Sequence, residues 1–328
     1  MKLARIRYFA RLAGSSLMLV FVVLLIMFVL LEVAPGDPIQ ALVGNMPVTD
    51  AFREQMTRAY GLDRSLAERF LAYLGNILTG NLGVSFANKE PVIDLIVDRL
   101  GNTMILMLPA LVLSSVGGIV LGAIAARTRS RLLDGFISSV AVAGFSIPSF
   151  WLALLLIMLF SVTLGWLPSQ GMNSFTKTGV SLQYLILPVL SLTMGELAFK
   201  TRIMRSSMIE VLGQDYIDTA RSKGLSSFQI LRKHGLLNSM LPMVSVIGYS
   251  LGFMLAGSVL VEKVFGWPGM GLLLYDSIKR SENLVVMGIL LIATLIIVIV
   301  NILTEFVYEM VDPRIRARNK AARDGVAL

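Results

Sequence analysis

Apolar residues along the chain are gathered into six long runs that short polar connections separate. The runs cover residues 12–33, 103–126, 136–166, 182–205, 241–264 and 284–310. A bilayer core about 30 Å thick needs roughly 20 mostly apolar residues per helical span, so each run is long enough to cross a membrane. The pattern therefore predicts an all-α membrane protein with six transmembrane helices.

Prolines and tryptophans mark places where these predicted spans bend or end. Pro109, Pro148 and Pro188 fall inside spans two, three and four and predict kinks or breaks there. The connections GWLPSQG and FGWPGMG carry the turn signals of Gly and Pro, and their tryptophans, Trp166 and Trp267, suit anchoring at the membrane interface.

The connection over residues 34–102 is the one long gap between predicted spans, and we expect it to face outward with short amphipathic helices. AFREQMTRAYGL and SLAERFLAYLGNIL place apolar residues at helical spacing, and Ser65 with Glu68 forms a capping-box pattern in the second. A third element, PVIDLIVDRL, begins at Pro91. These helices fit either a cap on the outer mouth of the bundle or a stabilising collar that contacts no solute.

Basic residues are concentrated in connections that would lie on one side of the membrane. Nineteen of the 29 fall before span one, between spans two and three, around residues 200–233 and in the tail. This bias follows the positive-inside rule, so we expect both termini in the cytoplasm. The net charge of +8 is thereby explained by topology, without a nucleic-acid partner. A cleaved signal peptide fits residues 1–33 less well, because the apolar run is long and ends in LEVAPGDP.

Composition supports a membrane protein and excludes several kinds of chemistry. Apolar residues make up 55% of the 328 residues and charged ones 15%, and the absence of cysteine removes thiolate metal sites and cysteine nucleophiles. GxxxxGK with Ser or Thr is absent, which argues against ATP hydrolysis by this chain. GxSxG is absent too, and His234 is the one histidine, so neither a catalytic triad nor a metal site is expected.

One function to be weighed for a protein with six spans is secondary transport driven by protons or sodium. Such transport usually needs charged groups deep inside the spans. Glu196 in span four is the one candidate, because the other predicted spans carry charge only near their ends, as at Glu262. Lys200 lies four residues after Glu196, so the two can pair on one helical face. We therefore expect a structural ion pair near the cytoplasmic end of the span in preference to a proton site.

Residues 209–240 form a basic module with a glycine break. IEVLGQDYIDTARSK is expected to continue the helix of span four, with Ile217 and Ala220 on one face, and Gly224 then ends it. SSFQ at Ser226 predicts a capping box for a second helix that carries Leu225, Phe228 and Leu231 on one face. From periodicity alone, such a module could equally rest on anionic lipid headgroups.

This module resembles the cytoplasmic loop of ATP-binding-cassette (ABC) importer permeases, in particular the dipeptide, oligopeptide and nickel branch. The family pattern of Glu-Ala-Ala, three residues, Gly and a distant Leu-Pro reads here Asp218-Thr219-Ala220, Gly224 and Leu241-Pro242. LEVAPGDP, GNLGVSF, SIPSFWLALLLIMLF, LGWLPSQG, GSVLVEKVFGWPGMG and VDPRIR resemble the same branch in the same order along nearly the whole chain.

The resemblance implies a six-transmembrane-helix ABC importer permease core with a large extracytoplasmic loop between helices 1 and 2. The implied organisation is residues 1–33 as N-terminus and first span, 34–102 as the outer loop, 103–310 as the core with coupling loop 209–240, and 311–328 as a cytoplasmic tail. The resemblance also implies a multi-pass protein of a bacterial or archaeal inner membrane. Its expected partners are a second permease, two ATPase subunits and an extracytoplasmic solute-binding protein. This chain is expected to be no enzyme and to bind no metal or cofactor, because the ATPase subunits use the ATP and Mg.

The resemblance also assigns roles to particular residues. Ala220 and Gly224 would permit close docking on the ATPase, and Leu225 and Phe228 would fill its groove. The charged and polar candidates of the loop, which would orient it or pack within it, are Asp218, Arg221, Lys223, Arg232 and His234. Candidate pathway or gate residues are Ser146, Pro148, Ser149 and Glu196.

Two segments depart from the family pattern, and both are expected on the outer face. Gly80-Asn81-Leu82-Gly83 replaces Gly-Asp-Leu-Gly, and Arg280-Ser281-Glu282-Asn283 replaces Arg-Asp-x-Pro. The family's contacts with the solute or the binding protein are therefore not carried over to these two segments. Peptides are the expected solute, and nickel chelates, glutathione or small glycans are the alternatives within the branch.

Overall fold

The computed structural model describes residues 2–33, 49–59, 63–128, 130–173 and 179–311, and these parts of the chain are helical with short connections. The helices are α1 (Lys2–Val33), α2 (Asp50–Ala59), α3 (Leu66–Leu78), α4 (Val92–Arg127), α5 (Arg131–Ser146), α6 (Ser149–Leu156), α7 (Leu182–Leu212), α8 (Asp215–Ser222), α9 (Ser227–Ile230), α10 (Leu237–Phe265), α11 (Met270–Lys279) and α12 (Asn283–Val311). π-Helical segments continue α6 over Ile157–Thr163 and join α9 to α10 over Leu231–Leu236. Within these ranges β structure is limited to one bridge, between Val84 and Pro91.

Four helical stretches of the described residues are long and apolar enough to cross a membrane. They are Val92–Arg127, Leu182–Leu212, Ser227–Phe265 and Asn283–Tyr308, and they coincide with predicted spans two, four, five and six. A fifth span is formed if α5 and the helix that follows it are counted together. In the part of α1 whose side chains are described, the apolar stretch is Gly14–Leu30, which is shorter than the four stretches above. An all-helical membrane protein is thus confirmed, and six spans stay a prediction.

The third predicted span is a bent pair of helices, so the kink or break predicted at Pro148 is confirmed. α5 and the helix from Ser149 to Thr163 meet at 101°. The cause is Pro148, which disfavours helical geometry at the residue before it, and Ile147 is extended with ψ 120°. α4 and α7 continue through Pro109 and Pro188, so the expected break occurs at Pro148 and not at these two prolines.

The described part of the outer connection contains the predicted helices, with one correction. α2 and α3 form where the periodicity places them, and the capping box is present, with Ser65 Oγ accepting from the N–H of Glu68 and the Ser65 N–H donating to Glu68 Oε2 at 3.0 Å. PVIDLIVDRL, predicted as a third short element, is instead the first part of α4, because the helix continues without a break through Gly101 and Asn102 into span two.

Close packing of α4 on α7 forms the centre of the bundle. A Cβ atom at Gly118 would lie 2.6 Å from Cβ of Lys200, and one at Gly122 would lie 2.6 Å from Cβ of Met204. Small residues four positions apart let two membrane helices approach closely. The largest apolar cluster lies between these helices and α10 to α12, and it includes Trp267. The interface role expected for Trp267 is therefore wrong, since its ring is buried and its Nε1–H donates to the carbonyl of Asn102, whereas Trp166 is exposed as expected.

Candidate functional site

The loop between α7 and α10 is built from two short helices that are separated from α7. α7 ends at Leu212, Gly213 closes its last turn, and Gln214 is extended with ψ 147° before α8 begins. The expected continuous helix over 209–223 is therefore wrong, because a glycine, which disfavours helix interiors, breaks it four residues after Ile209. These elements lie within residues 209–240, for which the name coupling loop is kept.

Gly224 produces the reversal between α8 and α9. Its φ of +80° belongs to the left-handed region that favours glycine, and its N–H donates to the carbonyl of Arg221 at 2.9 Å. A Cβ atom there would meet nothing within 4 Å, so backbone conformation and not crowding requires the glycine. Ser226 then caps α9, as predicted, with Gln229 completing the capping box.

The coupling loop has a small core of its own. Ile217, Ala220 and Ile230 are buried against one another, and Leu225 is half-buried against them. Ala220 and Leu225, which were assigned to the ATPase contact, thus pack within the loop. The expected shared face of Leu225 and Phe228 is wrong, because α9 turns Ile230 inward and leaves Phe228 61% exposed.

Exposed charged side chains lie near Phe228 in the sequence. Arg221 pairs with Asp218 at 3.0 Å on the surface, and Lys223 and Arg232 are exposed as well. Arg232 lies four residues after Phe228, which places the two on neighbouring positions of the helical surface. His234 is half-buried with its ring 6.4 Å from that of Tyr216, an arrangement that suits packing. The loop therefore exposes two aromatic side chains, Phe228 and Tyr216, together with several cations.

A buried polar network joins the three central helices. Lys200 Nζ lies 2.7 Å from Glu196 Oε2 and donates to Ser114 Oγ at 3.0 Å, and Ser250 Oγ donates to the same Glu196 oxygen at 2.5 Å. The predicted ion pair is confirmed. Lys200 is 0% exposed and α7 is still buried at Met208, so the pair lies inside the bundle, while its place near the cytoplasmic end of the span stays a prediction.

The remaining candidate pathway residues lie at the bend between α5 and α6. Ser146 ends α5 and donates its hydroxyl to the carbonyl of Val142, while Pro148 is exposed and Ser149 begins α6. The end of α5 packs on α7 near the polar network, because Phe145 stacks on Phe199 with ring centroids 5.7 Å apart.

Glu262 organises a second buried site that the sequence interpretation missed. Its carboxylate accepts from Thr103 Oγ1 at 2.8 Å and from the N–H of Leu272 at 2.9 Å, in the first turn of α11. A carboxylate there complements the positive end of the helix dipole. The sequence signal that could have revealed this site is the pair Gly269 and Gly271. Because glycine has no Cβ atom, the pair leaves room for the carboxylate, and a Cβ atom at Gly269 would lie 2.5 Å from it.

A residue just after the first segment that departs from the family pattern contacts the second such segment. Ser85, just after Gly80–Gly83, donates its hydroxyl to Glu282 Oε2 at 2.6 Å, and both residues are buried. A cavity of about 140 Å³ lies beside this bond, and Arg99, Arg280 and Glu282 are among its lining residues.

The sequence matches two family models that together span most of the chain. Residues 118–317 match the binding-protein-dependent transport system inner membrane component, and residues 5–107 match the N-terminal part of such membrane components. The match of the first model covers the coupling loop and the central part of the bundle.

Similar proteins come from several bacteria. A permease protein of Brucella suis biovar 1 that is provisionally assigned to peptides is 42% identical over 311 residues, covering 93% of this chain and 97% of that protein. The di/tripeptide transport system permease protein DppB of Pseudomonas aeruginosa is 38% identical over 331 residues, covering 94% and 98%.

The fold is similar to that of a solved transporter. The methionine ABC transporter MetNI in an inward-facing conformation superposes with a TM-score of 0.56 at 20% identity, covering 66% of this chain and 96% of that chain. Family models, relatives and fold agree with the resemblance seen in the sequence. The chain belongs to the family of binding-protein-dependent transport system inner membrane components, as a multi-pass permease subunit of the ABC importer type in the peptide branch.

Proposed function

We propose that this chain forms half of the translocation pathway of an ABC importer for dipeptides and oligopeptides. The observation that carries the proposal is the 38% identity to a di/tripeptide permease over 94% of this chain. Within that system the chain would form the pathway and receive work from ATP hydrolysis carried out by separate subunits. ATP and Mg would bind to those subunits, with no cofactor held by this chain.

The coupling loop is the proposed contact with the ATPase. Its own core holds α8 and α9 together, so that the loop can move as one body when a partner pulls on it. Phe228 offers an apolar anchor, and Arg221, Lys223 and Arg232 offer cations around it. Exposed aromatic residues with charged neighbours are typical of the residues that dominate protein interfaces. ATP-driven closure of two ATPase subunits would then bring the docked loops of two permeases together.

The helices connect this loop to the interior of the bundle. α7 runs without a break from Leu182 to Leu212 and carries Glu196 and Lys200, which hydrogen-bond to α10 and α4. Movement of the coupling loop would therefore reach three central helices through one polar network. Ser146, Pro148 and Ser149, at the bend beside α7, are proposed as part of the gate.

The proposed topology has six spans, with both termini and the coupling loop in the cytoplasm. α1 and the α5–α6 pair would complete the count of six with the four long helices. The outer loop over 34–102 and the Ser85–Glu282 contact would then face the solute-binding protein. Residues 34–48 and 312–328 lie outside the described residues.

Ion-coupled transport by this chain alone is the competing function. The structure favours a structural role for Glu196, because Lys200 already neutralises it inside the bundle. Peptide uptake that persists in Glu196→Gln supports this role. Loss of uptake in a Glu196→Gln complex that assembles normally would favour a coupling ion.

The proposal is tested by reconstituting the chain with ABC ATPases, a second permease and a solute-binding protein from its own organism. ATP-dependent uptake of a labelled dipeptide into vesicles is expected, with little uptake of a nickel chelate or a small glycan. Uptake of a non-peptide alone would overturn the peptide assignment. Uptake by the single chain without ATPases would overturn the importer mechanism.

A further inference from the structure

The helix α3 has three distinct sides, and only one of them packs on the protein. Phe70, Tyr73 and Ile77 face inward, where Phe70 lies 5.1 Å from the ring of Phe28 on α1. Arg69 also pairs with Glu32 near the end of α1 at 2.7 Å. These contacts hold α3 against α1 and fix its rotation about its own axis.

The second side is apolar and exposed. Leu71 and Leu78 are 66% and 87% exposed, and with Ala67 and Leu74 they form a stripe at spacings of four, three and four residues. Leu74 is half-buried in the cluster formed with α1 and α12, so the stripe is continuous with the packed side. The third side carries Glu68, Ala72 and Asn76, which are exposed and suit water.

We infer that α3 is a membrane-surface helix whose Leu71 and Leu78 side chains insert into the lipid bilayer. An amphipathic helix binds the interface by burying its apolar stripe to the depth of the headgroup and acyl boundary. The occupant is lipid because the stripe continues the exposed apolar surface of α1, where Phe21 is exposed beside Phe70 at a ring distance of 6.0 Å. The inference uses the proposed topology only to name the leaflet, which would be the outer one.

Membrane contact on this side would give the outer connection a mechanical role. α3 packs with Met287 and Leu291 of α12 as well as with α1. A helix fixed at the lipid surface would hold the outer ends of these two helices together while the coupling loop moves on the other side. This makes α3 an anchor of the bundle and not a solute-binding cap.

The absence of cysteine in the chain makes the test direct. Leu71→Cys and Leu78→Cys are labelled with a nitroxide, and Ala72→Cys and Asn76→Cys are the matched controls on the same helix. The full-length chain is placed in vesicles of phosphatidylethanolamine and phosphatidylglycerol. Collision rates are then measured with oxygen, which concentrates in lipid, and with a nickel chelate, which stays in water.

The expected result is a ratio of oxygen to nickel-chelate collisions several-fold higher at positions 71 and 78 than at 72 and 76. Equal access of the nickel chelate to all four positions would overturn the inference. So would immobilisation of the labels at 71 and 78 only after the binding protein or second permease is added, because a protein would then cover the stripe. Peptide uptake is not part of this readout, so failure of the peptide assignment would leave the result unchanged.

Discussion

Removing the carboxylate of Glu196 should destabilise the bundle far more than removing an exposed one. In Glu196→Ala the ammonium of Lys200 stays fully buried, with Ser114 Oγ as its remaining hydrogen-bond partner in the structure. Breaking a buried ion pair from one side costs about 3–5 kcal/mol, because a buried charge is left without compensation. The control is Asp218→Ala, which breaks the exposed pair with Arg221 and should cost about 0–1 kcal/mol.

The double variant Glu196→Ala with Lys200→Met separates the loss of the pair from the loss of packing. Methionine keeps most of the volume of the lysine stem, which fills the space beside Gly118. Removing both partners of a buried interaction can be nearly neutral, so most of the lost free energy should return.

Denaturation in mixed micelles measures the free energy of unfolding of each variant. The reasoning requires a large loss for Glu196→Ala, a small one for Asp218→Ala and recovery in the double variant. It is refuted if Glu196→Ala and Asp218→Ala lower the free energy of unfolding by the same amount. It is also refuted if the effects of the two substitutions in the double variant add instead of cancelling.

Three further predictions concern single features. Gly224→Ala should weaken co-purification of the ATPase, since alanine at φ +80° costs roughly 1–2 kcal/mol and distorts the turn, and unchanged binding would contradict this. Glu262→Ala should speed hydrogen exchange at the start of α11, which would lose the carboxylate that accepts from Leu272, and unchanged protection there would contradict the capping role. The hydrogen bond from Ser65 holds the pKa of Glu68 below its usual value, so this stabilisation of α3 is present above about pH 4.3 and is lost as pH falls through the lowered pKa. Hydrogen exchange of α3 against pH checks this, and the dependence should become smaller in Ser65→Ala, which keeps only the backbone N–H as a donor at this position.

Local sequence signals predicted the helical elements well. The capping boxes at Ser65 and Ser226 formed because each depends on residues only three positions apart. Gly224 ended a helix for the same local reason. The apolar runs located the long helices, since length and hydropathy alone decide which segments can cross a bilayer.

The errors came from contacts between distant parts of the chain. Trp267 is buried because Asn102, far away in sequence, accepts its N–H, and no local pattern shows this. The place of Lys200 depends on Ser114 and on the glycines of α4 that admit it. The orientation of Phe228 depends on which residue of α9 packs against Ile217, and Ile230 fills that position.

Docking of the coupling loop on an ATPase through Phe228 is the central claim, and co-purification tests it most directly. Phe228→Ala is compared with Leu132→Ala, which removes an exposed apolar side chain from the start of α5, on the side that the charge pattern places in the cytoplasm. Loss of an interface anchor costs more than about 1 kcal/mol, so Phe228→Ala should weaken ATPase binding by roughly fivefold or more. Leu132→Ala should bind like the unmodified chain. Equal ATPase binding by the unmodified chain and Phe228→Ala would contradict the account.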